Sequence, residues 1–353
     1  MVEDKPVGKI AQDTFERLIR PRLGAPSADV LVGPGTGLDT GIVSLGAGQV
    51  VAVTTDPFYV LPAFGWDRAA WFAVQIIASD AATSALPLRY LTVDLNLPPE
   101  MPDDILAEIW EATSAACCQL GVAVVTGHTG RYQGCSTPIL GGATMICIGA
   151  ESAYLTPAMA CPGDAIVVTK GAAIETTATF GVALPDMLTA RLGAPTAQAA
   201  AGLFERMTVV PDVRAAIAVG VREHGVTTLH DATERGVWGG LVEIAEASGV
   251  GLLVDQDAVI VEPAARAVCD LFGIDPYTAS SEGTLLLTCR PKSTVSVLER
   301  LSAAGIAASV VGEIVPADSG LHVVRNGREE TLTAPTSDPF WPAFEAAAGE
   351  IRG

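Results

Sequence analysis

The sequence predicts a two-domain α/β protein, and three observations lead to this prediction. The chain has 353 residues, more than a single hydrophobic core usually organises. Between residues 50 and 150, strand-length apolar runs alternate with helical patterns in the order β-α-β-β, which is typical of a mixed sheet backed by helices. After the loop-like segment 151–164 a second alternation begins. We therefore place domains at 1–155 and 156–353.

Local patterns predict the elements of the first domain. An opening helix over about 11–20 carries Phe15, Leu18 and Ile19 on one face and ends before Pro21. A strand is predicted for VVAVTTD (50–56) and a helix for residues 66–85. The elements that follow are a strand LRYLTVDLNL, a capped helix DDILAEIWEATSAACCQLG, and the strands VAVVTG and ILGGATMICIGA. The helix over 66–85 is apolar nearly all round and should be buried, which makes Asp80 within it conspicuous.

The second domain opens with a predicted strand, AIVVTKG, and a helix that starts at Glu175. Further helices are predicted near 196–206 and 211–224. A loop, TLHDATERGVWGG, should lead into a helix LVEIAEASG, with later strands at GTLLLTC and HVVRNG.

Composition restricts the possible partners and the compartment. The chain is 49% hydrophobic and 17% charged, with a net charge of -19. This acidity argues against binding to nucleic acid or to an anionic membrane, although a metal cation can bridge acidic residues to a phosphate ligand. None of the seven cysteines forms a CxxC pair, and no window has the length of a membrane helix. We expect a soluble, cytoplasmic protein with reduced cysteines.

Residues 33–41, GPGTGLDTG, form a glycine-rich loop between two apolar runs. The loop lacks the lysine and the Ser/Thr of a GxxxxGK[ST] phosphate loop, and Thr40 occupies the last glycine position of GxGxxG. Its glycines are compatible with a phosphate role or with an ordinary surface turn. Asp39 is the residue in this loop that is able to hold a cation.

Three further acids are candidate ligands. Asp56 closes a strand and Asp80 lies on the apolar helix. Asp231 and Thr233 precede a helix, whose start would bind a phosphate, and Thr233 is a further candidate contact to the nucleotide. Each acid has an ordinary explanation, namely a loop cap, a buried acid with a satisfying partner, and a helix N-cap. Taken together with Asp39, they predict Mg²⁺ coordination, because magnesium prefers a few carboxylates together with phosphates and waters.

Two lysines and one strand end are weaker candidates for phosphate contacts. Lys9 and Lys170 each adjoin a glycine and would supply point charges, or are simply exposed to solvent. The strand end VVTGHTG places Gly127, His128 and Thr129 together, and the histidine would contact a phosphate or be a turn residue held by the backbone. No Ser-His-Asp, Cys-His or zinc-site spacing is present.

The ordered motifs GKI, GLDTGIV, TTD, ASDAATSALP, TGHT, TKG and HDATERG resemble those of the aminoimidazole ribonucleotide (AIR) synthase superfamily, from Gly8 to about Phe340. This group includes selenophosphate synthetase, thiamine-monophosphate kinase and the carbamoyl dehydratase of hydrogenase maturation. The resemblance implies a PurM-like fold, with an N-terminal sheet that forms a barrel across a homodimer and a C-terminal α+β domain. It also implies ATP in the cleft between the domains, with its phosphates on Mg²⁺.

The resemblance also assigns residues. It implies that the four aspartates hold the metal and that Lys9 belongs to the N-terminal nucleotide segment. Two positions depart from the family pattern: Leu38 stands where GDDAA has an acid, and His128 where GGDT has one. The N-terminal cysteine of the selenophosphate synthetases and the terminal cysteine of the dehydratase are also absent.

The predicted function is that of an ATP- and Mg²⁺-dependent enzyme that phosphorylates an unidentified small molecule or activates it as a phosphate. Two alternatives remain: a non-catalytic ATP-binding sensor or assembly partner, and a kinase similar to thiamine-monophosphate kinase. The sequence does not identify catalytic residues.

Overall fold

The computed structural model describes residue 10 and residues 12–352, and its strands form two sheets, one in each half of the chain. The first sheet has the strand order β1-β2-β3-β6-β4-β5. Its strands are β1 Val30–Val32, β2 Gly41–Gly46, β3 Gln49–Tyr59, β4 Leu88–Leu97, β5 Ala123–Arg131 and β6 Ile139–Ala150. The helices of this half are α1 Gln12–Leu18, α2 Trp66–Ala82 and α3 Asp103–Leu120.

The first sheet is mixed, as predicted. β4 and β5 are parallel because helix α3 returns the chain across the sheet between them, whereas the other neighbouring strands are antiparallel. Helix α2 packs on this sheet and buries most of its residues. An apolar surface nearly all round is what such a position requires.

The second sheet has the order β13-β12-β9-β11-β7-β10-β8, in which only β9 and β12 form a parallel pair among the described strands. Its strands are β7 Ala165–Thr169, β8 Val226–Asp231, β9 Gly251–Asp255, β10 Leu285–Cys289, β11 Ala308–Val315, β12 Leu321–Arg325 and β13 Arg328–Thr331. The helices are α4 Ile174–Ala183, α5 Pro185–Leu192, α6 Ala194–Ala201, α7 Val210–Ile217, α8 Gly236–Ser248, α9 Pro263–Phe272, α10 Thr294–Ala303 and α11 Phe340–Arg352.

Several predicted boundaries were wrong. The segment TLHDATERGVWGG is not one loop, because β8 continues to Asp231, which pairs with Leu285 of β10, and α8 begins at Gly236. The helices predicted near 196–206 and 211–224 are shorter, and α5 was not predicted. The helix predicted over 66–85 ends at Ala82. The strand predicted for 50–56 continues to Tyr59, so that Asp56 lies within β3 and does not close it.

The two halves share buried contacts. One hydrophobic cluster includes α2 and residues of the second half such as Phe204 and Val209. The Ser79 hydroxyl of α2 accepts a hydrogen bond from the Val209 amide at 3.1 Å. Residues 151–164 connect the sheets and contain a single 3₁₀ turn, Pro157–Met159, and the domain division remains a proposal. Among the described helices, none is both long enough and apolar enough to cross a bilayer.

Candidate metal centre

The four aspartates singled out in the sequence converge between the two halves of the fold. Asp39 lies in the loop between β1 and β2, Asp56 on β3, Asp80 near the end of α2, and Asp231 at the end of β8. Each of the other three is close enough to raise the pKa of Asp80 through electrostatic repulsion. A single cluster of carboxylates therefore draws on both sheets and on the helix beneath the first.

Asp80 is the most strongly perturbed member of this cluster. Burial, and then repulsion from Asp231, Asp56 and Asp39, hold the pKa of Asp80 well above its ordinary value. Its carboxyl shares a hydrogen bond with that of Asp56 and accepts one from the Thr54 hydroxyl at 3.4 Å. The partner that the sequence required for this buried acid is therefore neither an arginine nor a helix cap, but a hydroxyl and a second carboxyl.

His230 joins the cluster to the second half of the chain. Its Nδ1 atom lies 2.7 Å from Asp39 Oδ2 and 3.9 Å from Asp231 Oδ1, and its Nε2 atom lies 2.8 Å from Glu243 Oε2. Glu243 in turn pairs with Arg235. Burial lowers the pKa of the His230 imidazole, but Asp39 and Glu243 outweigh that effect and raise it well above its ordinary value.

The ligand atoms of Asp39, His230 and Asp231 all lie within 4.8 Å of one another. His230 belongs to the motif HDATERG, and the sequence predicted no role for it. The available signal was its position next to Asp231 at the end of a buried strand. Its partner Asp39 lies 191 residues away in the sequence, so no local pattern indicated the contact.

Two glutamates that sequence reasoning also missed lie beside the aspartates. The Glu282 amide donates to Glu175 Oε2 at 3.1 Å, and the Gly283 amide donates to Glu282 Oε1 at 3.0 Å. Burial raises the pKa of Glu175 to about 7. Burial, and then Asp231 and Glu175, raise the pKa of Glu282 well above its ordinary value. These carboxyls therefore keep their protons to higher pH than an ordinary glutamate does, next to the acid cluster.

The backbone that presents Glu175 is unusual. Lys170, Gly171 and Ala173, which connect β7 to α4, all have positive φ angles. Hydrogen bonds to the loop before β10 hold this turn, since the Ile174 amide donates to Ser281 Oγ at 3.0 Å. Such conformations persist only where the surroundings fix them, and they are common at functional sites.

Of the other predicted residues, Thr233 lies next to the cluster, because its amide donates to the Asp231 carbonyl at 3.2 Å in the turn before α8. Lys170 is buried, and its Nζ atom donates to Asp212 Oδ2 and to the Thr208 carbonyl, both at 2.7 Å. Lys9 lies outside the described residues.

Gly127, His128 and Thr129 lie on the exposed edge strand β5. Asp56, Ala143, Val93 and Gly127 occupy one row across four strands, so that Gly127 is separated from Asp56 by three strand spacings, or about 14 Å.

His128 Nε2 lies 2.6 Å from the Tyr132 hydroxyl. Within one chain, the fold does not bring Gly127, His128 and Thr129 to the aspartates, and the contact of these residues with a nucleotide stays a prediction.

The donor set of the cluster suits a divalent cation. Asp39, Asp56, Asp80 and Asp231 offer carboxylate oxygens, which are the ligands that Mg²⁺ prefers, and phosphate oxygens and waters commonly complete its shell. Four neighbouring carboxylates also repel one another, and a bound cation relieves that repulsion. The residues present therefore fit a magnesium ion with a phosphate ligand.

The chain matches two family models. Residues 37–149 match the AIR synthase related protein N-terminal domain, and residues 161–324 match the C-terminal domain of the same family. A carbamoyl dehydratase HypE from Cupriavidus necator is 28% identical over 82% of this chain and 79% of that protein.

Two solved structures share the fold. A structure of the hydrogenase maturation protein HypE in complex with ATP superposes with a TM-score of 0.66 at 20% identity, over 95% of this chain and 98% of that one. A thiamine-monophosphate kinase from Stenotrophomonas maltophilia superposes with a TM-score of 0.63 at 20% identity, over 87% and 93% of the two chains.

Proposed function

Because the chain belongs to the AIR synthase related protein family, we propose that it is an enzyme that binds ATP with Mg²⁺ between its two domains and transfers a phosphoryl group to a small molecule. The convergence of Asp39, Asp56, Asp80 and Asp231 carries this proposal. The similar fold of a HypE protein in complex with ATP supports it.

In this proposal the aspartates hold the metal ion, which neutralises phosphate charge when bound. Glu282 and Glu175 lie beside the aspartates as buried carboxyls with raised pKa values. A carboxyl with a raised pKa keeps its proton to higher pH and is able to donate or accept a hydrogen bond at an acceptor molecule. We therefore place the acceptor beside these two glutamates.

Calorimetric titration with ATP and Mg²⁺ tests the proposal. We expect binding by the unmodified protein and at least a tenfold loss of affinity in Asp80→Asn. Asp67→Asn is the matched control, since Asp67 is an exposed aspartate at the other end of the same helix α2. Absence of binding at millimolar ATP by the folded, unmodified protein would contradict the proposal.

A second candidate function is a non-catalytic nucleotide sensor or assembly partner, and Leu38 favours it. This residue adjoins Asp39, but its aliphatic side chain cannot coordinate a metal. Its backbone amide donates a hydrogen bond to the Gly35 carbonyl at 3.3 Å. A sensor would bind ATP without releasing phosphate in the presence of any substrate or cell extract. A strong gain of Mg²⁺ affinity in Leu38→Asp would indicate a site that has lost a ligand.

A kinase similar to thiamine-monophosphate kinase is the alternative within enzymes, and the shared fold favours it. A screen for ADP release over candidate acceptors identifies the substrate, and the fate of the phosphate separates a kinase from an enzyme that activates an amide oxygen as a phosphate leaving group. A kinase would leave the phosphate on the acceptor, whereas amide activation releases inorganic phosphate. Measuring ADP and free phosphate in the same reactions therefore distinguishes the two chemistries.

A further inference from the structure

We infer that His230 is a direct ligand of the metal ion, together with Asp39 and Asp231, so that the site selects a transition metal such as Mn²⁺ over Mg²⁺. The inference rests on the proposed function and deepens it, because it specifies the metal that this site takes. Three features support it, namely the position of Nδ1, the partner of Nε2 and the burial of all three side chains.

The first observation is the position of Nδ1. It lies 2.7 Å from Asp39 Oδ2 and 3.9 Å from Asp231 Oδ1, and one ligand atom from each of the three residues falls within 4.8 Å of the others. Ligands of a single octahedral ion with bonds of about 2.1 Å are separated by about 3 to 4.2 Å. A small adjustment, in which the ion replaces the proton on Nδ1, therefore brings all three to one ion.

The second observation is the partner of the other ring nitrogen. Nε2 lies 2.8 Å from Glu243 Oε2, and Arg235 holds the second oxygen of that carboxylate. A histidine that binds a metal usually donates its remaining N–H to a carboxylate, which fixes the tautomer and the ring orientation. The contact with Glu243 turns Nδ1 towards Asp39 and Asp231, so that Nδ1 becomes a ligand atom once the ion displaces the proton it shares with Asp39.

The third observation is the burial of the three side chains, which holds them in place. The side chains of His230 and Asp231 are 2% and 1% exposed, and that of Asp39 is 8% exposed. The loop that carries Asp39 also rests on helix α8, since a Cβ atom added to Gly37 would lie 3.0 Å from Glu243 Cβ. The same glutamate thus positions both the histidine ring and the loop of its neighbouring carboxylate.

The presence of a nitrogen ligand affects metal choice. Carboxylates, carbonyls and waters suit Mg²⁺, whereas imidazole raises the affinity for divalent transition metals. The alternative role for His230 is that of a protonated strut that neutralises Asp39 and Glu243 without touching a metal. A strut competes with the ion for Asp39, so the two roles lead to opposite results when the ring is removed.

Pulsed electron paramagnetic resonance of the full chain with Mn²⁺ alone tests ligation directly. We expect a nitrogen-14 coupling to the bound Mn²⁺ that disappears in His230→Gln. His322→Gln, which removes the partly exposed imidazole near Glu329, should retain the coupling. Bound Mn²⁺ without nitrogen coupling in the unmodified protein overturns the inference, and this measurement does not depend on the folding of any variant.

Metal affinities supply the second arm. We expect the unmodified protein to bind Mn²⁺ at least tenfold more tightly than Mg²⁺. His230→Gln should weaken Mn²⁺ binding 10- to 100-fold while changing Mg²⁺ binding less than about threefold, and Glu243→Gln should weaken Mn²⁺ binding about tenfold. Tighter binding of both ions in His230→Gln would show that the histidine is a strut and would overturn the inference.

The proposed function fails by a different result. Nitrogen-coupled Mn²⁺ with no ATP binding would refute ATP chemistry and leave the metal assignment in place. ATP binding with a metal that shows no nitrogen coupling would do the reverse.

Discussion

Glu175 connects protonation to stability at a single residue. Burial raises the pKa of its carboxyl from 4.5 to about 7, so the folded state holds the proton more tightly than the unfolded chain does. The resulting stabilisation is complete below about pH 4.5 and is lost as the pH rises through 7. Glutamine retains an acceptor for the Glu282 amide but has no proton to lose.

We therefore expect Glu175→Gln to have a similar free energy of unfolding to the unmodified protein at pH 4.5 and to be more stable by about 2 kcal/mol at pH 8. Urea denaturation at both pH values measures this difference. Glu299→Gln, an exposed position on α10, should show none. An equal effect of Glu175→Gln at both pH values would contradict the expectation.

Lys170 forms a buried ion pair and was also predicted to contact phosphate, and urea denaturation together with ATP titration separates these two roles. Its ion pair with Asp212 is buried, with side chains 7% and 1% exposed, and removing one partner of such a pair leaves an uncompensated charge. Lys170→Met should lower the free energy of unfolding by about 3 kcal/mol, and Lys170→Met/Asp212→Leu should restore most of it. If the double variant is stable but binds ATP much more weakly, Lys170 contacts the phosphates as the sequence predicted.

Sequence reasoning found the aspartates but not the residues around them, for a physical reason. An acid that follows an apolar run or lies on an apolar helix, such as Asp56 or Asp80, contradicts its local surroundings and therefore stands out. Glu282 lies in an ordinary polar loop. Its contact with Glu175, 107 residues away in the sequence, and its proximity to Asp231 both depend on tertiary structure. Only the fold reveals a site of this kind.

At the scale of elements, the start of α8 depends on left-handed backbone. Arg235 and Gly236 have φ angles of 66° and 60°, and a Cβ atom on Gly236 would approach the Ala279 carbonyl oxygen at 2.5 Å. Gly236→Ala combines strain with a backbone clash and should cost at least about 2 kcal/mol of stability.

Gly249 is the matched control for Gly236. It ends the same helix at φ 64°, and nothing lies within 4 Å of its added Cβ, so Gly249→Ala should cost only about 1 kcal/mol. Thermal unfolding compares the two variants. Equal losses would show that the contact with Ala279 does not matter.

The beginning of α8 was predicted as a loop because of its glycines. Gly239 and Gly240 lower helix propensity, yet both lie inside α8. A Cβ atom on Gly240 would meet Leu286 Cδ1 of β10 at 2.5 Å. Gly240 therefore permits close packing of the helix on the sheet. A single sequence does not show whether a glycine serves such packing or forms a turn.

At the scale of the whole molecule, β5 leaves one edge of the first sheet open. Val124 and Val125 on this strand are 37% and 52% exposed. An exposed apolar edge strand is a template for pairing with another chain. The family resemblance implies a homodimer joined through its N-terminal sheets, and we expect this open edge to form the contact. The edge also carries Gly127, His128 and Thr129, which lie far from the aspartates of their own chain.

We expect the protein to sediment as a dimer at micromolar concentration and Val125→Lys to shift it to a monomer, because a charge on the paired edge opposes association. Val295→Lys, at a 66% exposed position on α10, should remain a dimer. If residues 127–129 contact the nucleotide held by a partner chain, the Val125→Lys monomer should bind ATP at least tenfold more weakly while its Mn²⁺ affinity stays unchanged. Equal ATP binding by monomer and dimer would instead confine the nucleotide site to one chain and remove these three residues from it.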